Sequence, residues 1–197
     1  MKLGITGGIG SGKTSVCRIF NVLGIPVFSA DAAARVIMDS EPDIIRKVNS
    51  IAGKNMYSNG LLDRPELATM IFNNEKLLKK INKVVHPVVF EQFISWARLQ
   101  EAKYVILEAA IIFESGASKL VDRIATVIAP VEERINRVIQ RNNLSREQVI
   151  KRIRNQMEDK ERIKLSDYVI DNSDQEMIIP AILKIHKEIL DIIKYTG

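Results

Sequence analysis

The chain has a single cysteine, Cys17, in 197 residues, which excludes an internal disulfide and a cysteine-built zinc cage. Its place on an apolar segment behind a glycine-rich loop predicts a packed thiol rather than a nucleophile. Charged residues recur too often for any apolar run to reach the roughly 20 residues that cross a bilayer. No apolar targeting segment stands at the N-terminus, so a cytoplasmic enzyme is the expectation. Aromatics are only 6% of residues and do not interleave with basic residues as a base-stacking platform would. No D-x-x-G occurs, and Asn82-Lys83-Val84-Val85 lacks the aspartate of an Asn-Lys-x-Asp guanine reader, which argues against a guanine-nucleotide switch. There is no internal repeat, low-complexity tract or linker. Lys and Arg (29) outnumber Asp and Glu (24), for a net charge of +5 and a pI near 9.3. That excess suits nucleic acid or a polyanionic small substrate equally. A hydrophobic content of 46% over this length supports one sizeable core, with room for a small inserted subdomain.

What is present begins at Gly7. The run Gly7-Gly8-Ile9-Gly10-Ser11-Gly12-Lys13-Thr14 fits G-x-x-x-x-G-K-[ST] and follows a strand-like opening, Leu3 to Thr6. Glycines let successive backbone N–H groups turn inward around a phosphate, Lys13 can reach the terminal phosphates, and the Thr14 hydroxyl can bind Mg²⁺. The helix expected from Ser15 onward adds its positive N-terminal dipole. A ligand-free glycine turn would not require Lys-Thr at this spacing, so nucleotide binding is the better reading.

Apolar runs then alternate with helical patterns, which predicts an α/β fold with a mostly parallel sheet covered on both faces. Strands are expected near 3–6, 25–28, 104–108, 124–128 and 168–171, five in all. The second delivers Ser29-Ala30-Asp31 and a helix from Ala32 to Met38, where Asp31 can serve as N-cap. Residues from about 41 to 100 read as a helical insertion, with a turn at Ser58-Asn59-Gly60 and a helix start at Asp63 and Glu66, which have capping-box spacing. His86-Pro87 is expected to break a helix there. Residues of about 131–165 read as a thinly anchored helix pair, its second member starting at Ser145 with Gln148 at capping-box spacing. Arg134, Arg137 and Arg141 share one face of the first. The core is then about 1–40, 101–130 and 166–197, ending in a helix whose Ile178, Ile182, Ile185 and Ile189 are packed and which Pro180 is expected to kink.

These elements together resemble a family. The opening GGIGSGKT, Ala30-Asp31, Asn59-Gly60-Leu61-Leu62-Asp63-Arg64, His86-Pro87, Ile111-Ile112-Phe113-Glu114, Arg137 with Arg141, and Asp167-Tyr168-Val169-Ile170-Asp171-Asn172 occur in order, spaced as in bacterial dephospho-CoA kinases. The resemblance runs over nearly the whole chain. Departures are chemically mild: Ser29 stands where the family usually has aspartate, Thr14-Ser15 where it has Ser-Thr, and Ala110-Ile111-Ile112 where it has Pro-Leu-Leu. The resemblance implies one P-loop kinase domain, with the helical insertion holding coenzyme A and 131–165 acting as a lid. It implies transfer of the ATP γ-phosphoryl group to the ribose 3′-hydroxyl of dephospho-CoA, Asp31 being the corresponding catalytic carboxylate. The substrate is then a small molecule, neither nucleic acid nor membrane is a partner, and the protein is a monomer or a weak homo-oligomer.

The reaction itself asks for a phosphate cradle, Mg²⁺, cations for the equatorial oxygens and an acceptor for the hydroxyl proton. The cradle is Gly8, Ile9, Gly10, Ser11, Gly12, Lys13, Thr14 and Ser15, with Thr14 on the metal. Lys13, Arg137 and Arg141 supply cations, although each lid arginine can instead pair with Glu132, Glu133 or Glu147 on a solvated face. Asp31 orients or deprotonates the acceptor. Glu108 is either a support for the metal or a buried paired carboxylate. Asn172 either presents its amide to adenine or caps the following helix, a cap that Ser173 with Glu176 fits better. Arg64 is either a first-turn surface residue or a grip on a substrate phosphate, and the resemblance favours the second. His86 is a structural histidine or a substrate contact. Rival readings are another nucleoside or nucleotide kinase and an ATP-using nucleic-acid-binding protein.

Overall fold

The apolar runs between the helical stretches form one sheet because each can bury both faces only between helix layers. A computed structural model describes residues 1–72, 74–142 and 144–196. The strands are β1 (Lys2–Thr6), β2 (Val27–Ser29), β3 (Tyr57–Ser58), β4 (Leu61–Leu62), β5 (Val105–Glu108), β6 (Arg123–Ile128) and β7 (Tyr168–Asp171). The first helices are α1 (Lys13–Val22), α2 (Ala30–Ser40), α3 (Pro42–Ala52), α4 (Arg64–Phe72) and α5 (Glu75–Arg98). After them come α6 (Val131–Asn142), α7 (Arg146–Arg154), α8 (Asp159–Lys164) and α9 (Ile178–Thr196). The chain divides into two compact units: Met1–Ser29 with Leu99–Gly197, and Ala30–Arg98.

The first unit carries a five-stranded sheet in the order β2-β5-β1-β6-β7, every pair parallel. The register sets Ile5 of β1 between Glu108 of β5 and Ala125 of β6, and Ser29 of β2 beside Glu108. Leu3, Ile5, Ile106, Ala125, Val127 and Ile170 are fully buried and pack with Val16 and Phe20 of α1 and Ile182 and Ile189 of α9. Pro180, expected to kink α9, falls in its first turn as the third residue of the helix, where backbone N–H groups have no helical partner to lose. Ser173 and Glu176 do not cap α9, which starts later. The Ser173 N–H donates to Asp171 Oδ1 at 2.9 Å, and the Glu176 N–H to the Ser173 carbonyl, forming a turn of their own.

The helices α6 and α7 are better anchored than the sequence suggests. Ile135, Val138 and Val149 are buried together, with Ile9, Ile139, Leu144, Ile150 and Ile153 packed around them. The second helix starts as expected: the Gln148 N–H donates to Ser145 Oγ and the Ser145 N–H to Gln148 Oε1 at 3.0 Å.

In the second unit, α2, α3 and α4 pack on α5. Because α2 rests on α5 and α3, it groups here, although the sequence placed residues up to about 40 with the core. The expected turn is the loop of a two-residue hairpin, β3 and β4, with Asn59 (φ 52°) and Gly60 (φ 78°) both left-handed, as a type I′ turn demands. The Asp63 carboxylate accepts the Glu66 N–H at 2.9 Å and starts α4. Pro87 does not break a helix: α5 runs through it for 24 residues. The buried stripe Ile81, Val85, Val89, Phe93 continues across it, and that packing outweighs the roughly 3 kcal/mol of a proline in a helix interior. No helix among the described residues is long and apolar enough to cross a membrane.

Candidate active site

β1 ends at Thr6, and α1 begins at Lys13 with no side chain capping it. The residues between form a loop at the positive end of the α1 dipole, the position that favours an anion. Gly12 enters the helix with φ 94°, and a Cβ there would overlap the Asn172 side-chain amide, so the site requires glycine. That amide donates to the Ser11 carbonyl at 2.8 Å, so Asn172, just past β7, braces the loop rather than capping a helix. Lys13 Nζ donates to the carbonyls of Gly7 (2.8 Å) and Gly8 (3.3 Å), which holds the ammonium over the loop. Ser11 is fully buried, and its Oγ has no hydrogen-bond partner among the described residues.

Glu108 enters this site from the end of β5. Thr14 Oγ1 donates to Glu108 Oε1 at 3.2 Å, so the hydroxyl offered to a metal by the sequence motif already faces a carboxylate. Among the described residues no three His, Cys, Asp or Glu side chains gather as a metal cage. Cys17 is buried, and burial first, then the Glu108 carboxylate, push its thiol far up against the opposing pull of Lys13. It is a packing residue, as expected.

From α6, Arg137 Nη2 donates to Glu133 Oε2 (3.1 Å) and Asp174 Oδ1 (2.5 Å), while its buried Nη1 has no partner among the described residues. The Asp174 N–H donates to the same Glu133 carboxylate, tying the loop after β7 to α6. Arg141 is exposed and donates to its neighbour Asn142 at 2.9 Å. The pairing of Arg137 with Glu133 matches the alternative open for each arginine of this helix. Arg146 takes Glu132.

In the second unit, Asp31 is exposed in the first turn of α2, which begins at Ala30. Asp31 is thus inside the helix and not its N-cap, because β2 hands directly into the helix two residues earlier than the sequence suggests. Arg64 is committed locally: its Nη2 donates to Asp39 Oδ2 (2.6 Å) and to the Arg35 carbonyl (3.1 Å). Asp39 Oδ1 also accepts the Leu62 N–H, and the Tyr57 hydroxyl donates to the Met38 carbonyl, so the hairpin and Arg64 are fastened to α2. His86 stacks on Phe90 at 5.9 Å between ring centroids. Burial lowers its pKa, and the Asp31 carboxylate opposes that shift, which brings these two expected substrate contacts into one neighbourhood.

A sequence profile described as dephospho-CoA kinase matches residues 1–177. The chain belongs to the dephospho-CoA kinase family. A dephospho-CoA kinase of Bacteroides fragilis is 38% identical over 94% of this chain and 91% of its own, and one of Porphyromonas gingivalis 35% identical over 93% and 91%. A crystal structure from Thermus thermophilus is 32% identical, with a TM-score of 0.82, covering 100% of this chain and 98% of that one. A shikimate kinase of Acinetobacter baumannii, 17% identical with a TM-score of 0.53 over 97% and 93% of the two chains, shares the fold. The protein is an ATP-dependent kinase of the P-loop fold that transfers phosphate to an alcohol hydroxyl.

Sequence reasoning missed what holds this kinase's phosphate loop from behind. Arg134, Gln156, Asp159 and Arg162 all bear on it, directly or in relay. The signal was a weak one: arginines in a polar segment look solvated until their burial is known. His86 carries a pH prediction for this kinase. With its folded-state pKa below the ordinary histidine value, the unfolded chain binds the proton more readily, so stability is present above about pH 6.5 and declines as pH falls through it. Melting temperatures between pH 7.5 and 5.5 should therefore fall, and His86→Gln should flatten that decline.

Proposed function

We propose that this kinase moves the γ-phosphoryl group of ATP to the ribose 3′-hydroxyl of dephospho-CoA, giving coenzyme A and ADP. The observation that carries the reading is that relatives named dephospho-CoA kinase match across both units, the phosphate-loop unit and Ala30–Arg98 alike. Bound Mg²⁺ would supply charge neutralisation at the phosphate oxygens. Thr14 and Glu108 would hold it, directly or through water, a role the hydroxyl–carboxylate pair fits chemically.

The chain's own residues do the rest. The loop Gly8 to Ser15 cradles the phosphates with the backbone amides its own hydrogen bonds leave open, the Ile9 N–H being held by Gln156, and Lys13 leaves the Gly7 and Gly8 carbonyls for the transferring group. Arg137 and Arg141 close from 131–165, neutralise the equatorial oxygens and exclude water. Asp31 orients the hydroxyl and accepts its proton. Arg64 and His86 bind the substrate, Arg64 exchanging Asp39 for a phosphate. Asn172 lines the adenine side while bracing the loop. The enzyme is expected in the cytoplasm, as a monomer or weak homo-oligomer, without nucleic-acid affinity.

A coupled ADP-release assay across dephospho-CoA, adenosine, AMP and shikimate tests this. Turnover of dephospho-CoA alone, with product mass and phosphorus NMR placing the new phosphate on the 3′-oxygen, is the expected result. Turnover of AMP or adenosine in its absence would overturn the acceptor.

A further inference from the structure

Arg134 is 3% exposed and Arg162 0%, and both are charged. Burying a guanidinium is costly unless partners replace its water, so two such residues in one place ask for an explanation. Asp159 supplies part of it: Oδ2 accepts from Arg134 Nη1 at 2.7 Å and Oδ1 from Arg162 Nη1 at 2.6 Å. Arg162 Nη2 also donates to the Met157 carbonyl at 2.7 Å. One carboxylate thus joins two guanidinium groups.

The remainder of Arg134 is turned on the phosphate loop. Its Nε donates to the Ile9 carbonyl at 2.9 Å. A Cβ at Gly8 would overlap its guanidinium, and one at Gly10 would collide with its backbone carbonyl. The other backbone group of Ile9 is taken as well, its N–H donating to Gln156 Oε1 at 2.8 Å. The Ile9 side chain packs with Ile135, Val138 and Val149. The middle of the loop is therefore gripped at its N–H, its carbonyl and its side chain by residues more than 120 positions away.

We propose that Arg134 and Gln156 are positioning residues for phosphoryl transfer, setting the shape of the Gly8–Ile9–Gly10 turn through the two backbone groups of Ile9, with Asp159 and Arg162 holding Arg134 in register. They act through the loop and not on the substrate. Two of the glycines in the motif serve this grip, leaving room for Arg134 rather than for phosphate alone. Lysine cannot replace Arg134, because one ammonium on a flexible stem cannot hold the Ile9 carbonyl and Asp159 in the fixed fork that a guanidinium presents.

The inference deepens the proposed kinase reading, and its test is built to be separable from it. In nucleotide-free protein, Arg134→Lys should speed hydrogen exchange at the Ile9 amide, although its partner Gln156 is untouched. Arg134→Lys and Gln156→Ala should each weaken ATP binding about tenfold and lower kcat on the order of tenfold to a hundredfold, leaving KM for the acceptor unchanged. The double variant should lose less than the product of the two, since both act on one residue. Unchanged ATP affinity and kcat in folded Gln156→Ala, or effects confined to melting temperature, would overturn the proposal. If Arg134→Lys does not fold, Gln156→Ala decides by the same affinity and kcat. If dephospho-CoA proves not to be the acceptor, Ile9 exchange and ATP affinity still decide it.

Discussion

The Asp31→Asn variant should keep its fold and its ATP affinity while turnover falls by roughly a hundredfold to ten-thousandfold, the range associated with loss of a positioned general base. Asn is close to Asp in size and can still donate or accept a hydrogen bond, but it cannot take the acceptor's proton. Asp31 lies within the first turn of α2 and is exposed, so what Asn forfeits in stability is a helix-dipole contact of about 0.3–1 kcal/mol. Asp31→Ala should then melt close to Asp31→Asn, because no cap bond is there to lose. The folded variant carries its own control. The Asp31 carboxylate raises the pKa of His86, so removing its charge should move the His86 titration, followed by proton NMR, to lower pH. Retention of most activity in Asp31→Asn, with the His86 shift present, would withdraw the proton-acceptor role and leave Asp31 a positioning contact.

Lys13→Ala should lower kcat about a hundredfold to a thousandfold, the loss of about 3–4 kcal/mol expected when one preorganised donor leaves a developing charge. Its ammonium rests on two loop carbonyls, Gly7 and Gly8, so the variant also frees two acceptors. The loop stays gripped through Ile9 and Ser11 by Gln156, Arg134 and Asn172, and α1 remains packed through Val16 and Phe20. Circular dichroism and the melting temperature should therefore stay near wild type while turnover drops. Near-normal turnover would remove Lys13 from the phosphate site, whatever the acceptor proves to be.

The split between what was readable and what was not follows contact distance. Strand positions, the phosphate loop, the Ser145–Gln148 and Asp63–Glu66 helix starts and the buried face of α9 are local patterns, a period or a spacing within a few residues. The Asn59-Gly60 turn is local too, because both residues tolerate positive φ. Pro87 went the other way: it has a local rule, and the packing of α5 overrode it. Asp31 moved from cap to first turn because β2 joins α2 two residues earlier than the local pattern suggests.

The amino-acid sequence by itself determined that this chain carries a strand, a glycine loop ending in Lys13-Thr14, a helix behind it and the ordered motifs of a kinase family. Those depend on backbone conformations and side-chain chemistries that neighbouring residues specify. Only the tertiary structure decided that Glu108 faces Thr14, that Asn172 holds Ser11, that Arg64 is spent on Asp39, and that Arg134, Gln156, Asp159 and Arg162 grip the loop from behind. Apart from Arg162, which bonds its near neighbour Asp159, the partners lie 25 to 161 positions apart. Whether an arginine there is a solvated surface charge or a buried clamp depends on what covers it, and burial is a property of the folded chain rather than of any segment of it.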